Sequence, residues 1–209
     1  MANLITSARL ILLFVLVGMA YTAPPFWQLF NPFLLVMVIL LDALDGYVAR
    51  MRGETSVFGS VYDIAADRVV ENVLWIVLAD LGLVPLWVTL LIVTRGLLTD
   101  AIRSQGAAVG MTPYGMLDSP VGRFIVAGRF MRGFYGTVKA VVFAWILAFK
   151  PVPVLWPAWW AQWSDPVEDV AALLVYLTVS LCILRGIPVL VEFYLAQSRP
   201  QHREAARSG

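Results

Sequence analysis

An all-α polytopic membrane fold with six transmembrane helices is predicted here from three observations. The 209 residues are 60% hydrophobic and only 14% charged, too apolar for an ordinary soluble domain. Six apolar runs of span length recur, separated by proline, glycine or polar clusters. The arginines are also unevenly spread. The connections after the second and fourth runs, with the C-terminal segment, hold most of them, whereas those after the first, third and fifth hold Lys150 alone. By the positive-inside rule both termini face the cytoplasm. The totals, 15 Lys and Arg against 14 Asp and Glu, carry no nucleic-acid signature. One cysteine, Cys182, in the last apolar run and one histidine, His202, in the tail exclude a disulfide framework and a zinc-type Cys/His cluster.

Each span follows from its residues. Leu10 to Tyr21, with Leu4 and Ile5, makes a first span of about twenty residues. A signal peptide is the competing reading, since Arg9 precedes a short apolar run. Ala23-Pro24-Pro25-Phe26-Trp27 breaks the helix and supplies an interfacial aromatic. The second span runs from Leu29 to about Arg50, and Met51 to Phe58 is a polar turn. The third starts near Gly59 and reaches about Leu83, with a tight turn to Pro85. The fourth, Leu86 to about Arg103, contains Arg95. Ser104 to Arg132 is the longest polar connection and carries Arg123, Arg129 and Arg132 among apolar residues, as an amphipathic segment at the interface would. Gly133 to Phe149 is the fifth span. The prolines and tryptophans of 150–164 form an aromatic belt. The sixth span, Glu168 to about Gln197, is expected to break at Arg185-Gly186-Ile187-Pro188. Residues 1–197 form one domain on this reading, and 198–209 a basic cytoplasmic tail.

The chemistry concentrates between Asp42 and Asp67. Asp42 and Asp45 stand three apart, Asp63 and Asp67 four apart, so each pair shares one helical face. Carboxylates at the edge of apolar spans are costly to desolvate and read as a site. Two facing acidic helices suit a hard divalent cation, which takes oxygen ligands and often retains a substrate phosphate. This places a metal site at the cytoplasmic ends of helices 2 and 3. Gly46, Ala49 and Gly59 permit close approach of a ligand or a second backbone, and Arg50 offers phosphate a planar donor fork. Glu71 continues the face of Gly59, Asp63 and Asp67, either behind the metal or paired with Arg68.

Asp42-x-x-Asp45-Gly46-x-x-Ala49-Arg50, then eight residues, then Gly59-x-x-x-Asp63-x-x-x-Asp67 resembles the complete signature of the CDP-alcohol phosphotransferases. Asn3-x-x-Thr6-x-x-Arg9 resembles the opening of the phosphatidylglycerophosphate synthases in that family. The block from Val93 to Arg103 resembles another of their segments, departing at Gly96 where an acid is usual. Gly136 to Ala140 resembles a third, of which Lys139 alone carries over.

The resemblance implies transfer of a phosphatidyl group from CDP-diacylglycerol to an alcohol, with release of CMP. It implies one or two Mg²⁺ or Mn²⁺ ions held by Asp42, Asp45, Asp63 and Asp67, with Asp67 as general base. Gly46, Ala49, Arg50 and Gly59 would receive the CDP moiety. Arg95, Arg103 and Lys139, with Arg129 or Arg132, would form a cationic pocket for a small phosphorylated alcohol, since a dianionic phosphate calls for cations. Glycerol 3-phosphate is the first choice of acceptor, inositol phosphate the second, and a cardiolipin-type reaction the third. A homodimer in the lipid bilayer is compatible with the resemblance. A small transporter whose acids carry ions is the rival class, and it leaves the signature unexplained.

Overall fold

The computed structural model describes residues 2–52, 57–108, 124, 126 and 128–198. All regular structure among them is helical: α1 (Ala2–Thr22), α2 (Pro25–Gln28), α3 (Asn31–Arg52), α4 (Val57–Asp80), α5 (Leu86–Ala108), α6 (Arg129–Phe149), α7 (Val152–Leu155) and α8 (Pro157–Ser198). The six long helices among the described residues overlap the six apolar runs. Among the described residues, four stretches are long and apolar enough to cross a membrane: Asn3–Thr22, Pro25–Val48, Phe130–Leu155 and Pro157–Leu195. Helices α4 and α5 are long enough but carry Asp63, Asp67, Arg68, Glu71 and Asp80, and Arg95, Asp100 and Arg103, respectively. Outward-facing Leu4, Ile11, Phe33, Leu40 and Leu173 are each more than half exposed, as lipid-facing side chains are.

The chain divides into two compact units, residues 1–89 with 140–175, and residues 90–139 with 176–209. In the first, α1 packs on α3 and α4. Leu13, Leu16, Leu35, Val38, Leu74 and Trp75 are essentially inaccessible there. Trp75 meets Phe143 edge-on at 4.9 Å between centroids, and Thr89 donates to the Trp75 carbonyl. The end of α1 away from Arg9 is fastened by polar contacts. Lys150 Nζ donates to the Ala20 carbonyl and to Gln28 Oε1, both at 2.7 Å. A cation suits the last turn of a helix, whose carbonyls lack partners. Tyr21 donates to Asp80 at the end of α4. Helix α4 then stops at Gly82, whose φ of +70° is left-handed and strains any residue with a Cβ; Leu83 N–H closes the turn on the Leu78 carbonyl.

In the second unit Ile102, Val126 and Val189 form a small core, with Phe193 packed against it. Two expectations need correction here. Helix α8 is continuous over 42 residues, so Arg185 to Pro188 do not break it, and it begins at Pro157 rather than Glu168. Pro157 opens it at a position where a missing N–H costs nothing, and an apolar, packed helix absorbs the bond lost at Pro188. The polar connection is also shorter than expected: Ser104–Ala108 continue α5, and Arg129–Arg132 open α6. Most of the remainder, Arg123 included, lies outside the described residues, as does the tail from Arg199.

Candidate metal centre

Three helices of the first unit supply the site. Asp42 and Asp45 project from α3, and Asp63 and Asp67 from α4. Asp42, Asp63 and Asp67 each offer a carboxylate oxygen, and the three oxygens lie within 4.8 Å of one another. Helix α3 therefore brings one acid, Asp42, to the pair that α4 supplies. Asp45 is not one of the three. It is buried, and its Oδ2 accepts a hydrogen bond from the buried Thr6 Oγ1 of α1 at 2.9 Å.

Arg9, one turn on from Thr6 in α1, is 1% exposed and reaches into the cluster. Its guanidinium donates to Asp42 Oδ1 and, at 2.9 Å, to Asp67 Oδ1, with Asp63 Oδ1 at 3.8 Å. Ser7 Oγ and Tyr62 Oη, 3.0 Å apart, add a further tie between α1 and α4 beside Asp63. Asp63 Oδ1 is buried without a hydrogen-bond partner. Converging carboxylate oxygens, one of them unsatisfied, make a donor set that fits a hard divalent cation. Such an ion, when bound, would neutralise phosphate oxygens and polarise the phosphorus they surround. Glu71 pairs with Arg68 at 3.1 Å, the structural alternative of the two weighed for it.

The second unit gathers cations instead. Arg95 of α5, Lys139 of α6 and Arg185 of α8 lie 5.8, 4.5 and 5.6 Å from the centre of the buried Tyr135 ring. Arg185 is 5% exposed and donates to the Val126 carbonyl. Gly186 follows it and leaves room for Arg95: a Cβ there would stand 3.0 Å from Arg95 Cγ.

A sequence model of the CDP-alcohol phosphatidyltransferases matches residues 1–163, which contain both acid pairs, Thr6 and Arg9. The chain belongs to this family. It is similar to the archaetidylinositol phosphate synthase of Aeropyrum pernix, 32% identical over 96 residues, which are 44% of this chain and 49% of the relative. It is also similar to the probable phosphatidylglycerophosphate synthase of Mycobacterium tuberculosis, 36% identical over 74 residues, 35% of each chain. A CDP-diacylglycerol–glycerol-3-phosphate 3-phosphatidyltransferase of Mycoplasma genitalium is 35% identical over 75 residues, 36% of this chain and 32% of the relative. The chain spans about half or less of the length of these curated relatives.

Within this phosphatidyltransferase family member the predicted site residues fare unequally. Asp42, Asp63 and Asp67 come together, Asp45 stands behind them on Thr6, and Arg95 and Lys139 share one ring. Gly46 and Gly59 are partly buried on the acidic helices; Ala49 and Arg50 belong to α3, but their side chains lie outside the described residues. Arg103 is two turns beyond Arg95 and partly buried, and Arg132 is exposed at the start of α6; the Arg129 side chain is not among those described. Sequence reasoning assigned no site role to Thr6, Arg9 or Arg185. Thr6 and Arg9 did leave a signal, since a three-residue polar spacing in an aliphatic helix marks one face. Arg185 left a weaker one, a single intramembrane charge.

Proposed function

We propose that the protein transfers a phosphatidyl group from CDP-diacylglycerol to glycerol 3-phosphate, forming phosphatidylglycerophosphate and releasing CMP. The observation that carries this reading is the convergence of carboxylates from α3 and α4 within 4.8 Å, on the spacing of the family signature. Asp42, Asp45, Asp63 and Asp67 hold one or two Mg²⁺ or Mn²⁺ ions. The acceptor hydroxyl oxygen bonds to the phosphorus carrying the diacylglycerol, and the bond from that phosphorus to the CMP oxygen breaks with its electron pair on CMP. Asp67 takes the hydroxyl proton, a task that requires hydrogen-bond reach to the acceptor. Gly46, Ala49 and Gly59 let the nucleotide approach the helix backbones, and Arg50 assists at its phosphates.

For the acceptor phosphate, Arg95 and Lys139 are joined by Arg185 at the Tyr135 ring, with Arg103, Arg129 and Arg132 as further cations on α5 and α6. Clustered cations favour a phosphorylated alcohol over serine or choline. Similarity to an archaetidylinositol phosphate synthase supports inositol phosphate as the second reading. On this proposal the chain is one membrane domain over residues 1–197 with a basic tail. It spans six times, with both termini and the acids at the cytoplasmic face, where a water-soluble acceptor is available. Association as a homodimer completes the proposal.

The deciding assay follows CMP release by purified protein given CDP-diacylglycerol, Mn²⁺ or Mg²⁺, and glycerol 3-phosphate, inositol phosphate, serine or phosphatidylglycerol in turn. Release with glycerol 3-phosphate supports the first reading, and release with inositol phosphate alone replaces it with the second. Absence of CMP with every acceptor removes the enzymatic reading.

A further inference from the structure

Arg9 is a buried cation among the carboxylates of the candidate metal site. Here the residue is 1% exposed, it donates to two of the three converging carboxylates, and the third is 3.8 Å away. Its Nε is buried without a hydrogen-bond partner, so the fork is committed to the acids at the expense of its own satisfaction. Carboxylate oxygens within 4.8 Å of one another repel, and a positive charge among them offsets that repulsion. We infer that Arg9 is the resident counter-ion of the acidic cluster, holding Asp42 and Asp67 together without divalent metal and competing with the ion for their oxygens.

The inference rests on the reading of the cluster as a metal centre and adds to it a direction. A residue that merely oriented the ligands would strengthen ion binding, and its loss would weaken it. A resident counter-ion does the reverse. The carboxylate oxygens that accept from Arg9 must be shared with or surrendered to the metal, and two cations a few ångströms apart repel. Loss of Arg9 should then tighten metal binding while weakening the protein without metal. Thr6 sharpens the contrast, since it donates to Asp45, outside the trio, and brings no charge.

The test uses the full-length protein in detergent with Mn²⁺ as the probe. Free Mn²⁺ is counted by electron paramagnetic resonance, and unfolding is followed by tryptophan fluorescence with and without chelator. Arg9→Met is expected to bind Mn²⁺ about tenfold or more tightly than wild type. It should unfold at a lower temperature in chelator and recover more than wild type when Mn²⁺ is added. Arg9→Lys, which keeps the charge and loses the fork, should lie between the two and guards against a Met variant that does not fold. Weaker Mn²⁺ binding in either variant overturns the inference and leaves the metal centre standing, as does unchanged stability of Arg9→Met in chelator. Wild-type protein that binds no Mn²⁺ overturns both.

Discussion

The acidic cluster of the first unit and the cation group of the second hold charge inside an apolar protein in opposite ways. In the first, carboxylates from α3 and α4 converge, and a buried guanidinium from α1 stands among them. One guanidinium offsets only part of the negative charge of the three carboxylates there, and an incoming cation competes with it for their oxygens. In the second, Arg95, Lys139 and Arg185 surround a neutral ring. An aromatic face attracts a cation by about 0.5–2 kcal/mol and helps to order the three around it. The lesson is that the company of a charge identifies its ligand. Under the proposed function, the acids with a cation among them take a metal ion, and the cations gathered at the ring take the acceptor phosphate.

The largest effects should fall on the acidic side. Chelation should abolish CMP release, with Mn²⁺ or Mg²⁺ restoring it; activity that survives chelation would break the comparison at its root. Asp67→Asn should keep the fold and bind metal but lose turnover by about 10²–10⁴-fold, the range of a general base. A fully active variant would retire Asp67 from that role. On the cationic side Arg185→Met should raise KM for glycerol 3-phosphate by roughly 10–100-fold, since a hydrogen bond to a charged group contributes about 1.5–3 kcal/mol. The KM for CDP-diacylglycerol should not move. Equal changes in both would mean that Arg185 acts through the fold, as its bond to the Val126 carbonyl also allows.

A smaller effect separates Asp45 from its three companions. Thr6→Val keeps the shape of the side chain and deletes the donor to Asp45 Oδ2. A buried carboxylate short of one donor costs about 1–3 kcal/mol. Mn²⁺ affinity should fall about tenfold, opposite in sign to the change expected from Arg9→Met. An unchanged affinity would show that Asp45 contributes nothing at the ion.

The convergence of Asp42, Asp63 and Asp67 was readable because helical spacing fixes which residues share a face, and acids in apolar runs are rarely idle. The six long helices were readable for the same reason of composition. Arg9 was not. Its role depends on α1 lying against both acidic helices, a tertiary fact that no spacing within α1 contains, although Thr6 and Arg9 marked the face. Tyr135 and Arg185 are fifty residues apart, and nothing local couples them. The expected break at Pro188 failed for a different cause. A proline interrupts a helix whose freed carbonyl can turn to water, but within a packed apolar bundle an extended alternative exposes more unpaired backbone than the helix loses.

The finest test of the cationic side is Gly186. It lies within α8, where alanine is favoured over glycine by about 1 kcal/mol, so Gly186→Ala considered alone should stabilise the helix. The new Cβ would meet Arg95 Cγ at 3.0 Å and Nε at 3.3 Å, close enough to force the side chain aside by a few tenths of an ångström. The neighbour is a flexible stem rather than backbone, so the fold can accommodate the change. Thermal stability should therefore be equal or slightly higher, while KM for the phosphorylated acceptor rises by a few fold as Arg95 leaves its place over the ring. A stability gain with an unmoved KM would show that Arg95 can reach the acceptor from more than one position. It would leave Lys139 and Arg185 as the residues that set the phosphate's place.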